Sequence, residues 1–199
     1  MNHRSSLAVT FAAFLAAGLA MPALADHEEE HHDKRFEVSL MIGYNSLFGD
    51  AQDFFDNGPY GGFAFEYAIT DPHKKGTFRS LDVRLCGGYE GFDGTSLDDK
   101  LKGSVFDLDA MLVMNAGKIV KPYVFFGFGG NNISDDLEIV SGNDGIGFGF
   151  GAGAKFFFGD TFTVMAELGN HDYRTQGNTR DALSHLQMLL VRIGFGVRF

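Results

Sequence analysis

The last eleven residues of the chain alternate without a break. Leu189, Val191, Ile193, Phe195, Val197 and Phe199 fall on one side, and Leu190, Arg192, Gly194, Gly196 and Arg198 on the other. A period of two is the signature of a β-strand, whose successive side chains point to opposite faces. Residues 146–156 repeat the pattern, with Ile146, Phe148, Phe150, Ala152, Ala154 and Phe156 set against Gly147, Gly149, Gly151, Gly153 and Lys155. Spacing of the helical kind is scarce. Turn-forming residues divide the chain from Phe36 onward into eight such segments, which predicts strands at 36–47, 59–70, 78–91, 101–114, 122–133, 145–158, 162–173 and 184–199. The run Gly147-x-Gly149-x-x-Ala152 loosely fits a dinucleotide fingerprint. That motif needs a strand-to-helix turn, whereas here glycine continues at every second residue, as one face of a strand does.

The connections between these segments alternate in length, each odd one being longer than its even neighbours. An up-and-down meander with one tight end and one elaborated end is the plan of outer-membrane barrels. Predicted strands of about 12 residues also exceed the 5–6 usual in soluble sheets and suit a tilted crossing of a bilayer.

The two faces decide which solvent lies outside. One carries Val38, Leu40, Ile42, Phe63, Phe65, Tyr67, Leu81, Val83, Leu85, Phe106, Leu108, Leu112, Val124, Phe126, Phe128, Phe148, Phe150 and Val164. The other carries Glu37, Ser39, Glu66, Asp82, Arg84, Asp107, Asp109, Lys155, Glu167, Arg192 and Arg198. A soluble barrel would turn the apolar face inward; a membrane barrel inverts the assignment. The polar face is rich in glycine, which suits a narrow interior, and the apolar face is free of charge in mid-strand, as hydrocarbon requires. The expected fold is therefore all-β, an eight-stranded antiparallel up-and-down transmembrane β-barrel. Closure is obligatory, because an open edge cannot be hydrated in lipid.

The N-terminus reads differently. Residues 1–25 hold a basic Arg4, an apolar run from Leu7 to Met21 and a small-x-small site at Ala23-Leu24-Ala25, which together read as a cleaved signal peptide. The expected domains are a signal peptide at 1–25, an acidic and His-rich segment at 26–35 and the barrel at 36–199. The second segment contains a literal H-E-x-x-H, from His27 to His31 with His32 next to it. A metalloprotease helix needs an apolar face to hold its ligands rigid, and residues 26–35 have no apolar side chain. A solvated tail is the simpler reading.

Composition narrows the remaining classes. The 199 residues include 27 Gly and 22 Phe with no Trp, a balance that excludes a helix bundle. A single Cys (Cys86) excludes an intramolecular disulfide, and a net charge of −10 argues against nucleic acid as a partner.

The last strand carries a more specific likeness. With Phe199 terminal and Val197, Phe195, Ile193 and Val191 at every second position before it, the chain resembles the OmpA/OmpX-type family of small outer-membrane barrels. The resemblance implies that these five residues form the signal read by the outer-membrane assembly machinery of a Gram-negative cell. It also implies contact with outer-membrane lipid and lipopolysaccharide. Without Trp, the interfacial girdles would fall to Phe and to Tyr44, Tyr60, Tyr67, Tyr89, Tyr123 and Tyr173. Members of this family serve as adhesins, resistance factors, structural proteins or enzymes, so fold alone leaves function open.

An enzymatic reading finds only one Ser/His/Asp grouping, Ser184 and His185 with His171 and Asp172. Adjacent strand residues face opposite sides, and the His-x-Ser spacing of the resembling lipid A deacylases is absent, so these residues read as a polar rim. No cofactor or metal is expected. The lumen network is expected from Glu66, Asp82, Arg84, Asp107, Asp109, Lys155, Glu167 and Arg192, with Arg84 and Arg192 bridging carboxylates of neighbouring strands. The expected external loops are acidic and offer a site for an unknown surface ligand. The sequence thus favours a structural or surface-interaction role over a narrow pore or a lipid-modifying enzyme.

Overall fold

The computed structural model describes residues 34–53, 55–70, 78–94, 100–115, 119–135, 143–176 and 185–199. Eight strands follow in order: β1 (Phe36–Phe48), β2 (Gly58–Ala68), β3 (Phe78–Asp93), β4 (Lys100–Met114), β5 (Val120–Asp135), β6 (Asn143–Phe158), β7 (Phe162–Gln176) and β8 (His185–Arg198). Each pairs antiparallel with the next, and β8 returns to β1, closing the barrel. The segments read from period-two alternation are the strands observed, with ends shifted by up to three residues. Residues 1–33, which hold the signal peptide and the His-rich tail, lie outside the described residues.

The register fixes the barrel's shape. Paired residues can be followed once around the ring: Val38, Phe65, Leu85, Leu108, Phe128, Phe148, Asp172, Gln187 and then Phe48. The path returns to β1 ten residues above its start, from Val38 to Phe48. Eight strands with that stagger tilt by about 40–45°, and the interior is only wide enough for side chains to fill it.

The outer wall settles the orientation. Leu40, Phe63, Phe106, Phe126, Phe128, Phe150 and Phe195 are more than half exposed, while Glu37, Asp82, Arg84, Asp109, Lys155, Glu167 and Arg192 are buried. A soluble monomer does not display an apolar belt of this extent. Apolar side chains face out and charges face in, as hydrocarbon around the barrel demands. Three of the six tyrosines depart from the expected girdle. Tyr60, Tyr123 and Tyr173 are buried in the lumen, while Tyr44 and Tyr89 are exposed on the wall.

The connections also differ from the regular alternation. Residues 49–57 and 69–77 are equally long, so the first odd connection does not exceed the first even one. The odd one is occupied by a 3-10 turn, Gly49–Asp53, and it folds back over the lumen. Ala51 is fully buried there, Phe55 is nearly so and bridges Gly94, and the Asn57 side chain accepts from Ser46 and from the Leu47 amide. The tightest connection is 159–161, where Gly159 takes φ 65°, a left-handed turn conformation that glycine adopts without steric cost.

Closure is completed at the end that carries both chain ends of the barrel. Phe36 N donates to Phe199 O at 3.1 Å, and Phe199 N donates to Phe36 O at 3.0 Å. Their rings stack at 6.1 Å, and Phe36 also packs on Tyr67 at 4.8 Å. Removing Phe199 therefore unpairs Phe36 at the seam as well as shortening β8. Deletion of Phe199, or Phe199→Asp, is expected to lower the outer-membrane yield and leave protein in the periplasm at low expression. Ile119→Asp, in the connection between β4 and β5, is the control and should fractionate as wild type.

Candidate functional site: the charged lumen

Alternation places every second residue inside, and the glycines of β6 make the space. A Cβ on Gly151 would lie 2.5 Å from the Phe125 ring, and one on Gly153 would lie 2.5 Å from the Tyr123 ring. Neighbouring aromatics on β5 therefore lie flat over bare backbone. Bulky lumen groups fit because their neighbours have no side chains.

The central layer is built around Arg84 on β3, which is fully buried. Its Nε donates to Asp109 Oδ2 at 2.9 Å and its Nη2 to the same oxygen at 2.7 Å. Its Nη1 reaches across the lumen to Glu167 Oε2 on β7. Tyr123 Oη donates to that same oxygen at 3.0 Å, and the Phe125 ring lies 4.9 Å from the guanidinium carbon. Arg192 on β8 is held differently. It approaches Glu167 Oε1 at 3.7 Å and stacks over Tyr60 at 4.3 Å. Arg84 thus ties a neighbouring strand and a distant one, whereas Arg192 pairs with the strand beside it.

A second layer lies toward the end with the chain termini. Lys155 on β6 pairs with Glu37 at 3.2 Å and with Glu66, drawing β1 and β2 toward β6. Ser39 and Thr163 donate to the other Glu37 oxygen at 3.1 and 2.8 Å. Toward the opposite end, Tyr173 donates to Asp107 at 2.7 Å and His171 Nδ1 lies 2.8 Å from the Tyr173 hydroxyl. Above that, Asn45 donates to Glu90 at 2.6 Å. The lumen then turns apolar, with Leu47, Phe55, Phe92, Leu101, Leu186 and Met188 packed in one buried cluster.

Several of these residues depart from the sequence reading. His171 is a buried member of the network and not part of a polar rim, because it shares the inward parity of Glu167. Asp172 next to it faces the opposite side and accepts from Gln187 at 3.4 Å. His171 and Asp172 therefore do not form one constellation. Ser184 and the His185 side chain lie outside the described residues. Cys86 lies in the lumen with Sγ 3.8 Å from Asp109 Oδ2. Glu90, Asn45, Lys121, His171 and Tyr173 were absent from the expected network, although parity within their strands would have placed them there. The five terminal-pattern residues, Val191, Ile193, Phe195, Val197 and Phe199, all face outward on the wall.

A closed eight-stranded barrel, apolar outside and ion-paired within, defines a small outer-membrane β-barrel. The chain belongs to the family described as the outer membrane protein beta-barrel domain, whose model matches residues 11–199. The Gram-negative outer membrane is its location. Among solved structures it is similar to Neisserial surface protein A, at 15% identity and a TM-score of 0.61, over 82% of this chain and 97% of that one. The outer membrane enzyme PagL is similar at 15% identity and a TM-score of 0.53, over 79% and 97%. Ail, the attachment invasion locus protein of Yersinia pestis, is similar at 17% identity and a TM-score of 0.51, over 83% and 99%. Among curated protein sequences none matches the chain.

The difference between the two lumen arginines yields a stability ranking. Truncating one partner of a buried pair leaves the other charge uncompensated, at about 3–5 kcal/mol. Arg84→Ala is expected to cost that amount, because it strands Asp109 and leaves Glu167 only the longer contact with Arg192 at 3.7 Å. Arg192→Ala is expected to cost less, since Glu167 keeps Arg84. Urea unfolding of the refolded barrel measures both, and an equal or inverted ranking would show that the two arginines are interchangeable.

Proposed function

We propose that this chain is a structural and surface-interaction protein of the outer membrane, with its lumen closed. The observation that carries the reading is Arg84, which spans the interior from Asp109 to Glu167 at mid-depth. The folded-back 49–57 connection and the apolar cluster beneath it add a second seal at the opposite end from the chain termini. An aqueous pore needs an open file through both layers. In this reading the outer wall meets lipid, and the rim beside it presents Lys100, Lys102 and Arg174 on strands β4 and β7 to lipopolysaccharide phosphates. The alternating residues from Val191 to Phe199 serve the assembly machinery, and the external loops meet a surface ligand. The similar Neisserial protein and Ail, by their names a surface protein and an attachment protein, support this class. The likeness to PagL keeps a lipid-modifying enzyme as the second reading. His171 and Asp172 lie on opposite faces and do not act as a pair.

Planar-bilayer recordings test the closed lumen. Wild-type barrel, verified as folded by faster migration before boiling, should give no steady conductance. Stable ion-selective openings would reject the closed lumen in favour of the narrow pore.

A further inference from the structure

Among the described residues, basic side chains outnumber acidic ones at the lumen's mouth on the chain-terminal end, and one of the basic residues is there because of a bulge. Strict alternation along β3 would put Arg79 on the lipid side with Leu81 and Val83. Between Phe78 and Ser80 the register against β4 slips, since Phe78 pairs with Met114 and Ser80 with Val113. Arg79 is the extra residue, and a bulge of this kind re-aims a side chain at a barrel rim. Its guanidinium carbon lies 5.3 Å from the centre of the inward Phe157 ring. Arg198 comes from β8 to within 5.0 Å of the same ring. Two strands thus place two guanidiniums on one aromatic platform.

Neither forms an ion pair among the described residues. Arg198 faces Glu37 across the ladder, yet its Nη2 donates to the Lys34 carbonyl at 2.8 Å. Lys121 is buried within electrostatic reach of Arg79 and donates to the Asn115 side chain at 2.7 Å. The carboxylates at this depth are Glu37 and Glu66, which Lys155 engages, and Asp82. Among the described residues, three carboxylate side chains therefore face Arg79, Lys121, Lys155 and Arg198. A cavity of about 30 Å³ at this mouth is lined by Lys34, Arg35, Arg79, Lys155 and Arg198 around Phe157, with Glu37, Glu66 and Asp82 on its inner side, so basic side chains outnumber acidic ones and one or two oxygen atoms of a larger group fit within it.

We propose that this mouth is an anion site for a phosphate-type group, with Arg79 and Arg198 contacting its oxygens and Phe157 holding both guanidiniums in place. The forked guanidinium matches phosphate oxygens in pairs, and stacking on an aromatic face fixes its plane. The negative charge relieves the repulsion between the two arginines. The mouth opens toward the periplasm and the inner leaflet, so the group is either free phosphate or a phospholipid head group. The proposal does not rest on the closed lumen.

Isothermal titration of the barrel refolded in octyl glucoside, a phosphate-free detergent, tests it with two probes, inorganic phosphate and glycerophosphoglycerol. Saturable binding with one site is expected, weakening as salt rises. Affinity should fall at least tenfold in Arg79→Gln and in Arg198→Gln, and stay unchanged in Gln187→Ala at the other end. Phe157→Leu keeps both charges and should weaken binding several-fold, which separates a built site from general basicity. Preference for glycerophosphoglycerol assigns the head group, and preference for phosphate assigns the free ion. Absence of saturable binding by either probe, or binding unaltered in both arginine variants, would overturn the site.

Discussion

A ring of eight strands staggered by ten residues leaves an interior that side chains must fill, and most of the rest follows from that limit. Half of every strand points inward, and the outward half is committed to hydrocarbon. Polar and charged residues are therefore confined to a narrow space, where each charge costs several kcal/mol unless it is paired. Arg84 meets the constraint most fully. Its ladder neighbour on β2 is Glu66, yet it bonds Asp109 on β4 and Glu167 across the lumen, leaving Glu66 to Lys155. Glycines on β6 let this happen without a wider barrel, because Tyr123 and Phe125 lie over their bare backbone.

The filling is graded along the axis. The mouth near the chain termini holds Arg79, Lys155 and Arg198 with Glu37, Glu66 and Asp82, the middle holds Asp109 and Glu167 with Arg84 and Arg192, and the far end is apolar beneath the Gly49–Asp53 turn. Each zone suits its neighbour. An apolar seal keeps water from the deepest ion pairs, and basic side chains gather at the end that carries the chain termini. The seam between β1 and β8, which Phe36 and Phe199 complete at its end, makes this interior possible, since without it two strand edges would face lipid unpaired.

The sequence made most of this plan legible because period-two alternation runs through the strands, broken at the start of β3. It sorted the inward charges from the outward aromatics and located eight strands. Alternation would also have placed Tyr60, Tyr123, Tyr173 and His171 inside, but the tyrosines were assigned to girdles by residue type and the histidine to a rim by its nearness to the strand end. Arg79 was illegible for a physical reason: a bulge breaks the parity on which the reading depends. The Arg84–Glu167 contact was illegible too, because which strands meet across a lumen depends on the accumulated stagger and not on any local pattern. Partners leave a weaker trace still, since the connections that would meet them carry no alternation.

The central claim is that Arg84 and Glu167 couple distant strands through the lumen. A double-mutant cycle with Arg84→Met and Glu167→Gln, read by urea unfolding of the refolded barrel, measures that coupling directly. Contacting buried partners couple by about 0.5–3 kcal/mol, and this account predicts the upper part of that range. Additivity of the two substitutions to within about 0.5 kcal/mol would contradict it.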